Sequence, residues 1–405
     1  MSRNGRLLRT PGPEADESFL GYILRLTERN FYDSPSWVLR LSELDPTQLT
    51  TESALTFESS KRLSGLSRLT GVSRAELTGI TYRVAASTSS EPFYLFFDQP
   101  VPQYVIRLKH PKICPECLAE APYCRRVWDL SIFTTCLEHK RLLIDKCPRC
   151  KKGISWTRNS VSTCRCEFDW REIPKLPVRE SEVGLVRHVY RLCGLSLGRS
   201  YVSDPSDQNP VLRLSLQDLL TALFFIAGQY QGLSNITSKH LMPGGRNKDY
   251  HALFIKAYSV FQDWPKNYYR FLDWRRTQER NVPPIKQRLK STLYKDFGKF
   301  YLGIYNMLAA NQFDFIRSEF SQYYIKNCGS DCDSRGDWSG NETWHSDSGF
   351  ISKTDARRLL GIDNGTMNEL IKTGTLTAKV QSKGKKRLIF IDLTDLTNLK
   401  SESGK

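Results

Sequence analysis

Apolar residues recur at helical spacing along most of the chain, interrupted by one cysteine-rich stretch and one stretch with almost no aliphatic residues. Phe19, Tyr22, Ile23 and Leu26 form the first stripe, behind the acidic start Glu14-Ala15-Asp16-Glu17 and with Ser18 placed to cap. Trp37, Val38, Leu41 and Leu44 predict a second amphipathic helix. Between Arg62 and Leu77, Gly71 ends one helix, and Ser73 with Glu76 makes a capping box that opens the next. Two helices joined by so short a turn match a helix-turn-helix, a motif equally common in plain helical packing. Helical periodicity returns over 183–195, 216–230, 250–260 and 291–324.

These patterns divide the chain into a helical N-terminal domain (11–103), a cysteine-dense region (104–175), a helical domain (176–326), a linker (327–349) rich in Gly, Ser and Asp, and a small C-terminal domain (350–400). The predicted fold class is mainly α and multidomain, with small β elements in the cysteine region and at the C-terminus. The longest greasy stretch, 219–228, reads as a buried helix, being shorter than the roughly 18 apolar residues of a membrane span. The start of the sequence has no apolar signal core, so a cytoplasmic protein without a membrane partner is expected.

Charge narrows the choice of partner. The 405 residues carry 59 Lys and Arg against 43 Asp and Glu, a formal +16. The excess is blocky: +7 over 101–175, +9 over 239–300 and +5 over 350–405, against −1 over 1–100. Three separate basic blocks favour a polyanion, with nucleic acid ahead of a membrane surface. The near-neutral N-terminal domain fits a structural or protein-binding module better than a DNA reader.

Eleven cysteines in a reducing compartment point to metal rather than disulfides. Eight donors fall into two sets. Cys114 and Cys117 are followed, after 18 residues, by Cys136 and His139. Cys147 and Cys150 are followed, after 13 residues, by Cys164 and Cys166. A Cys-x2-Cys knuckle puts two thiolates on one turn, and two knuckles complete a tetrahedron around zinc. Interleaved pairing satisfies the same count, but sequential pairing closes shorter loops. With four donors per set neither keeps the open position of a catalytic zinc, so two structural Zn²⁺ ions are expected. Cys124 and Cys193 read as buried thiols, and Cys328 and Cys332 as unpartnered residues at the linker.

At the C-terminus, Ser352 and Asp355 cap a helix that ends at Gly361, and a second helix follows from Asn364 to Lys372. Short strands over 376–380 and 387–391 flank a lysine-rich tip. This is a helix-turn-helix with a wing. Its DNA contacts would come from Asn364, Thr366, Asn368 and Lys372 on the second helix, and from Lys383, Lys385, Lys386 and Arg387 on the wing. The aromatic and cationic run from Phe261 to Arg276 has the composition of a base-stacking surface, but such a run is more often helix core with snorkelling arginines.

Catalytic signatures do not appear. None of the six histidines is followed two residues later by Glu, as a zinc deaminase requires. Gly244-Gly245-Arg246-Asn247-Lys248 lacks the spacing of a phosphate-binding loop, and no hydrolase elbow or metalloprotease helix is present. The chain reads as a non-enzyme.

Several motifs together resemble the TniQ/TnsD family of transposon target selectors, including those of CRISPR-associated transposons. They are Asp16-Glu17-Ser18-Phe19-Leu20 with Arg25-Leu26, the double knuckle enclosing Trp128 and Cys136-Leu137-Glu138-His139, and Trp264-Pro265. The resemblance covers roughly residues 11–275. It implies a non-catalytic adaptor that marks an insertion site and recruits an AAA+ ATPase. It also implies recognition of double-stranded DNA directly or docking on a CRISPR effector complex with its guide RNA, often as a homodimer. The competing reading from the winged unit alone is a stand-alone, zinc-containing transcriptional regulator.

Overall fold

A computed structural model describes residues 5–47, 63–85, 92–195, 209–233, 245–280, 292–328, 350–383 and 386–402. Helices dominate among them, with three small sheets. Two compact units emerge: Met1–Asp207 with Leu214–Ala227 and Ile236–Tyr258, and Gln208–Arg213 with Gly228–Asn235 and Ser259–Lys405. No helix among the described residues is long and apolar enough to cross a membrane.

In the first unit, α1 (Phe19–Arg29) has Ser18 as its cap, the hydroxyl accepting from the Gly21 amide, and buries every residue from Phe19 to Thr27. The helix α2 (Pro35–Leu41) ends earlier than its apolar pattern implies. Leu44 is buried beyond it, while Trp37 is 50% exposed and contributes little to the core. Then α3 (Leu63–Thr70) ends at Gly71, whose φ of 77° only glycine adopts without strain. Ser73 and Glu76 form the full capping box of α4 (Arg74–Gly79). Strands β1 (Arg83–Val84), β2 (Phe93–Phe96) and β3 (Gln99–Pro102) make an antiparallel sheet in that order.

The cysteine region contains α5 (Pro115–Glu120) and a hairpin of β4 (Thr135–Cys136) and β5 (Arg141–Leu142). Behind it lie α6 (Gly184–Leu192), α7 (Leu216–Tyr230) and α8 (Asn247–Ser259). Here Phe224 packs on Phe254 and Tyr104, both at 5.1 Å between ring centroids. Asn247 binds the Thr134 and Leu143 carbonyls, each at 2.8 Å, and so ties α8 to the hairpin.

In the second unit, α9 (Lys266–Arg280), α10 (Thr292–Asn306) and α11 (Asp314–Cys328) enclose an aromatic core. Phe271 meets Phe300 at 5.4 Å and Phe297 meets Phe320 at 5.1 Å. The aromatic run of the sequence is therefore core: Phe261, Tyr268, Phe271 and Leu272 are buried, and Arg275 and Arg276 pair with Glu279 and Asp296. The single periodic stretch over 291–324 is two helices, because the chain turns after Asn306 and restarts at Asp314 with Leu308 and Phe313 buried between. The first of the two also breaks at Gly298, with φ 55° and ψ −136°.

The C-terminal part runs β6 (Phe350–Ser352), α12 (Lys353–Leu360), α13 (Asn364–Lys372), β7 (Ala378–Lys383), β8 (Lys386–Asp392) and α14 (Leu393–Glu402). Its sheet has the order β6-β8-β7, and the hairpin strands start and end one to three residues away from the sequence pattern. Ser352 caps α12 as expected, but Asp355 does not reciprocate. Its Oδ1 instead accepts from the Tyr301 hydroxyl at 2.5 Å, and Arg358 Nη1 donates to the same hydroxyl at 3.0 Å. Most of the expected linker, 329–349, lies outside the described residues.

Candidate functional site

Local secondary structure fixes the first cluster. Cys114 is the N-cap of α5, Pro115 opens the helix, and Cys117 sits within its first turn. Cys136 comes from β4, and His139 from the turn to β5. His139 Nδ1 lies 3.6, 3.3 and 3.5 Å from the sulfurs of Cys114, Cys117 and Cys136. The Cys117 and Cys136 sulfurs are 3.5 Å apart. Tetrahedral zinc, with arms of about 2.3 Å to sulfur and about 2.0 Å to nitrogen, separates its ligands by about 3.8 Å and about 3.5 Å respectively. The donor set has those dimensions.

Its electrostatics ask for a cation. Hydrogen bonds from the Cys114 and Cys117 thiols pull Cys136 down, while contact with Cys114 and then Cys136 pushes Cys117 up. Three thiolates brought this close repel one another, and a bound cation would offset that repulsion. The surroundings suit it. His139 Nε2 lies 2.9 Å from Glu120 Oε1, which fixes the tautomer that aims Nδ1 at the sulfurs. Wholly buried Arg141 donates from Nη1 to both carboxylate oxygens of Glu116 at 2.9 and 2.8 Å, and Glu116 touches Cys114 Sγ at 3.3 Å. Arg125 lies over Trp128 and 3.7 Å from Glu138. Three thiolates around Zn²⁺ carry a net −1, which Arg125 and Arg141 oppose.

In the second cluster Cys147 Sγ is 3.7 Å from Cys166 Sγ, and Cys150 Sγ is 3.7 Å from Cys164 Sγ. All four sulfurs lie within 4.8 Å of one another, which again fits tetrahedral zinc. The donors group in chain order, without interleaving. Each knuckle is closed by backbone: the Lys151 amide donates to Cys147 O at 3.0 Å and the Glu167 amide to Cys164 O at 2.9 Å. The residue after the last donor of three knuckles is left-handed: Lys140 at 45°, Lys151 at 61° and Glu167 at 64°. None is a glycine, so the sequence gives no sign of these turns. Arg149, Lys151, Lys152 and Arg165 stand exposed around this cluster.

The acidic start of α1 is bound to the approach to the first cluster. Glu17, fully buried, takes Arg25 Nε at 2.8 Å and Nη2 at 2.5 Å. The Ser18 amide donates to Cys124 O at 2.8 Å, the Arg126 amide to Asp16 O at 2.7 Å, and the Tyr123 hydroxyl to Asp16 Oδ1 at 2.7 Å. Cys124 and Cys193 are buried thiols.

At the C-terminus, Asn364, Thr366, Asn368 and Lys372 are exposed on α13, and Arg387 is exposed on β8. The backbones of Lys383 and Lys386 face each other at the hairpin end, while Lys385 lies outside the described residues. Asp363 caps α13: its Oδ1 accepts from the Gly365 and Thr366 amides at 2.6 and 3.0 Å, and Oδ2 accepts from the Thr366 hydroxyl at 2.9 Å. Asn368 accepts from Lys353. Two of the candidate DNA contacts thus already have partners within the protein. The supporting residues Arg141, Glu116, Glu120 and Arg125 carry no sequence signature, because each acts across a fold-dependent contact.

Residues 8–143 match the TniQ family model. That segment takes in the Glu17–Arg25 pair and the whole first cluster, and stops short of the second. No protein among the curated ones matches the chain.

Proposed function

We propose, from the premise that the chain carries a TniQ domain over residues 8–143, that it is a target-selection adaptor of a transposon. In this reading it performs no bond-making chemistry. It holds two structural zinc ions on Cys114, Cys117, Cys136 and His139 and on Cys147, Cys150, Cys164 and Cys166. The ions would lock the knuckles and cancel thiolate charge; four protein donors on each leave no position for substrate. The TniQ match carries the proposal, and the fit of both donor sets to zinc supports it.

The adaptor marks an insertion site and recruits an AAA+ ATPase. The C-terminal helix pair and hairpin would serve as a winged helix-turn-helix for double-stranded DNA, through α13 and the basic hairpin end. A guide-RNA effector complex or a second copy of the chain would be further partners in an RNA-directed system. The test is purification with the neighbouring gene products, followed by identification of bound protein and nucleic acid. One recovered duplex together with an ATPase supports direct homing, and guide RNA with effector subunits supports RNA-directed targeting. Binding of a specific duplex with no ATPase captured, even with nucleotide present, would replace the adaptor by a stand-alone regulator.

A further inference from the structure

A cleft of about 370 Å³ in the first unit is lined by Arg83, Phe97, Asp98, Arg126 and Cys193 among others. Arg126 is only 5% exposed. Its guanidinium lies 4.0 Å over the Phe97 ring, Nη1 donates to Gly79 O at 2.7 Å, and Nε is buried without a partner. One hydrogen bond is little for a buried cation with five N–H donors.

The neighbouring charges do not make up the difference. Lys112, 3% exposed, spends its ammonium on the Leu130 and Phe133 carbonyls at 2.6 and 2.7 Å. Burial also pushes the Lys112 ammonium well below the usual lysine range. Among the described residues, the one buried carboxyl near it and Arg126 is Asp129, which accepts from the Tyr82 hydroxyl at 2.8 Å. Burial pushes the Asp129 carboxyl up, against the pull of the Tyr82 hydroxyl, Lys112 and Arg126. Asp98, with its side chain 84% exposed, is taken by Arg83 at 2.6 Å. A buried guanidinium that makes one hydrogen bond is under-bonded, and an anion in the cleft would supply further acceptors. The β2–β3 turn is held in the arrangement such a site needs. Phe97 and Asp98, at φ of 47° and 59°, are the two-residue loop of the hairpin, which requires positive φ at both positions, and the turn sets the ring under Arg126 and the carboxylate on Arg83.

We propose that this cleft is an oxyanion site, which takes a phosphate or carboxylate group between Arg126 and Arg83. Nothing in the adaptor reading requires it. Isothermal titration of the full-length chain with sodium phosphate, and separately with sodium acetate, at constant ionic strength tests it. Saturable heat with at least one of the two anions is expected; preference for phosphate assigns a phosphate-bearing ligand, and preference for acetate a carboxylate-bearing one. Arg126→Met should abolish the heat. Arg83→Met, at a half-exposed position outside the core, should weaken binding at least tenfold with zinc content and melting temperature unchanged. Asp98→Asn removes the carboxylate that competes for Arg83 and should tighten binding about threefold. Absence of saturable heat with both anions, or heat unchanged in Arg83→Met, overturns the proposal.

Discussion

Burial lifts the Asp129 carboxyl from an ordinary 3.8 to about 7, against the opposing pull of the Tyr82 hydroxyl, Lys112 and Arg126. The folded chain therefore holds this proton more tightly than the unfolded chain does. Stability falls as pH rises from about 4 to about 7, and the full penalty persists above that window. Asp129→Asn should flatten this part of the profile and raise stability at pH 8 by at most about 4 kcal/mol. Urea melts of both proteins at pH 5 and pH 8 would show it; parallel profiles would mean that Asp129 titrates normally. The zinc donors give a second test at this scale. Cys147→Ser should lower bound zinc from two ions to one and lower the melting temperature, because binding energy there is folding energy. Glu120→Gln should keep both ions but weaken the first about 10- to 100-fold in chelator competition. The grouping of these eight residues into two sets of four was legible in the sequence, since a knuckle is a local turn with fixed spacing. Arg126, Arg141 and Asp129 were not, because what matters about each is a contact with a distant part of the chain.

Among the elements, α3 approaches the end of α2 closely at Gly65. A Cβ on Gly65 would stand 2.0 Å from the Ser42 carbonyl oxygen, which is backbone and cannot rotate aside. Gly65→Ala should destabilise the first unit by about 3 kcal/mol, read as a lower melting temperature with zinc content retained. The termini of α1, α3 and α4 could be read beforehand because Ser18, Gly71, Ser73 and Glu76 each act within one turn. The break between α10 and α11 could not. Tyr301, Ile304, Leu308, Phe313 and Ile316 keep an apolar rhythm through it, and no proline marks the corner. The run from Phe261 to Leu272 was ambiguous for a related reason: a core stripe and a stacking surface use the same residues, and only burial separates them.

For the molecule as a whole, the charge of +16 makes any nucleic-acid contact strongly dependent on salt. Replacing Lys383, Lys385 and Lys386 by Gln should weaken duplex binding for all sequences alike and reduce the slope of log affinity against log salt by about 2 to 3. An unaltered slope would remove the hairpin end from the interface. The Tyr301–Asp355–Arg358 contact bears on the same question. It joins α12 to α10 inside the second unit, and α11 packs on both α12 and α14. The helix pair that ends in α13 is therefore fixed to the bundle through α12, like a compass needle fixed to its card. Whatever duplex α13 lies against, reversing that site end for end would turn the bundle to face the opposite way along the DNA. If α13 is the reader, a polarity written in the target would thus become the bearing of the bundle itself.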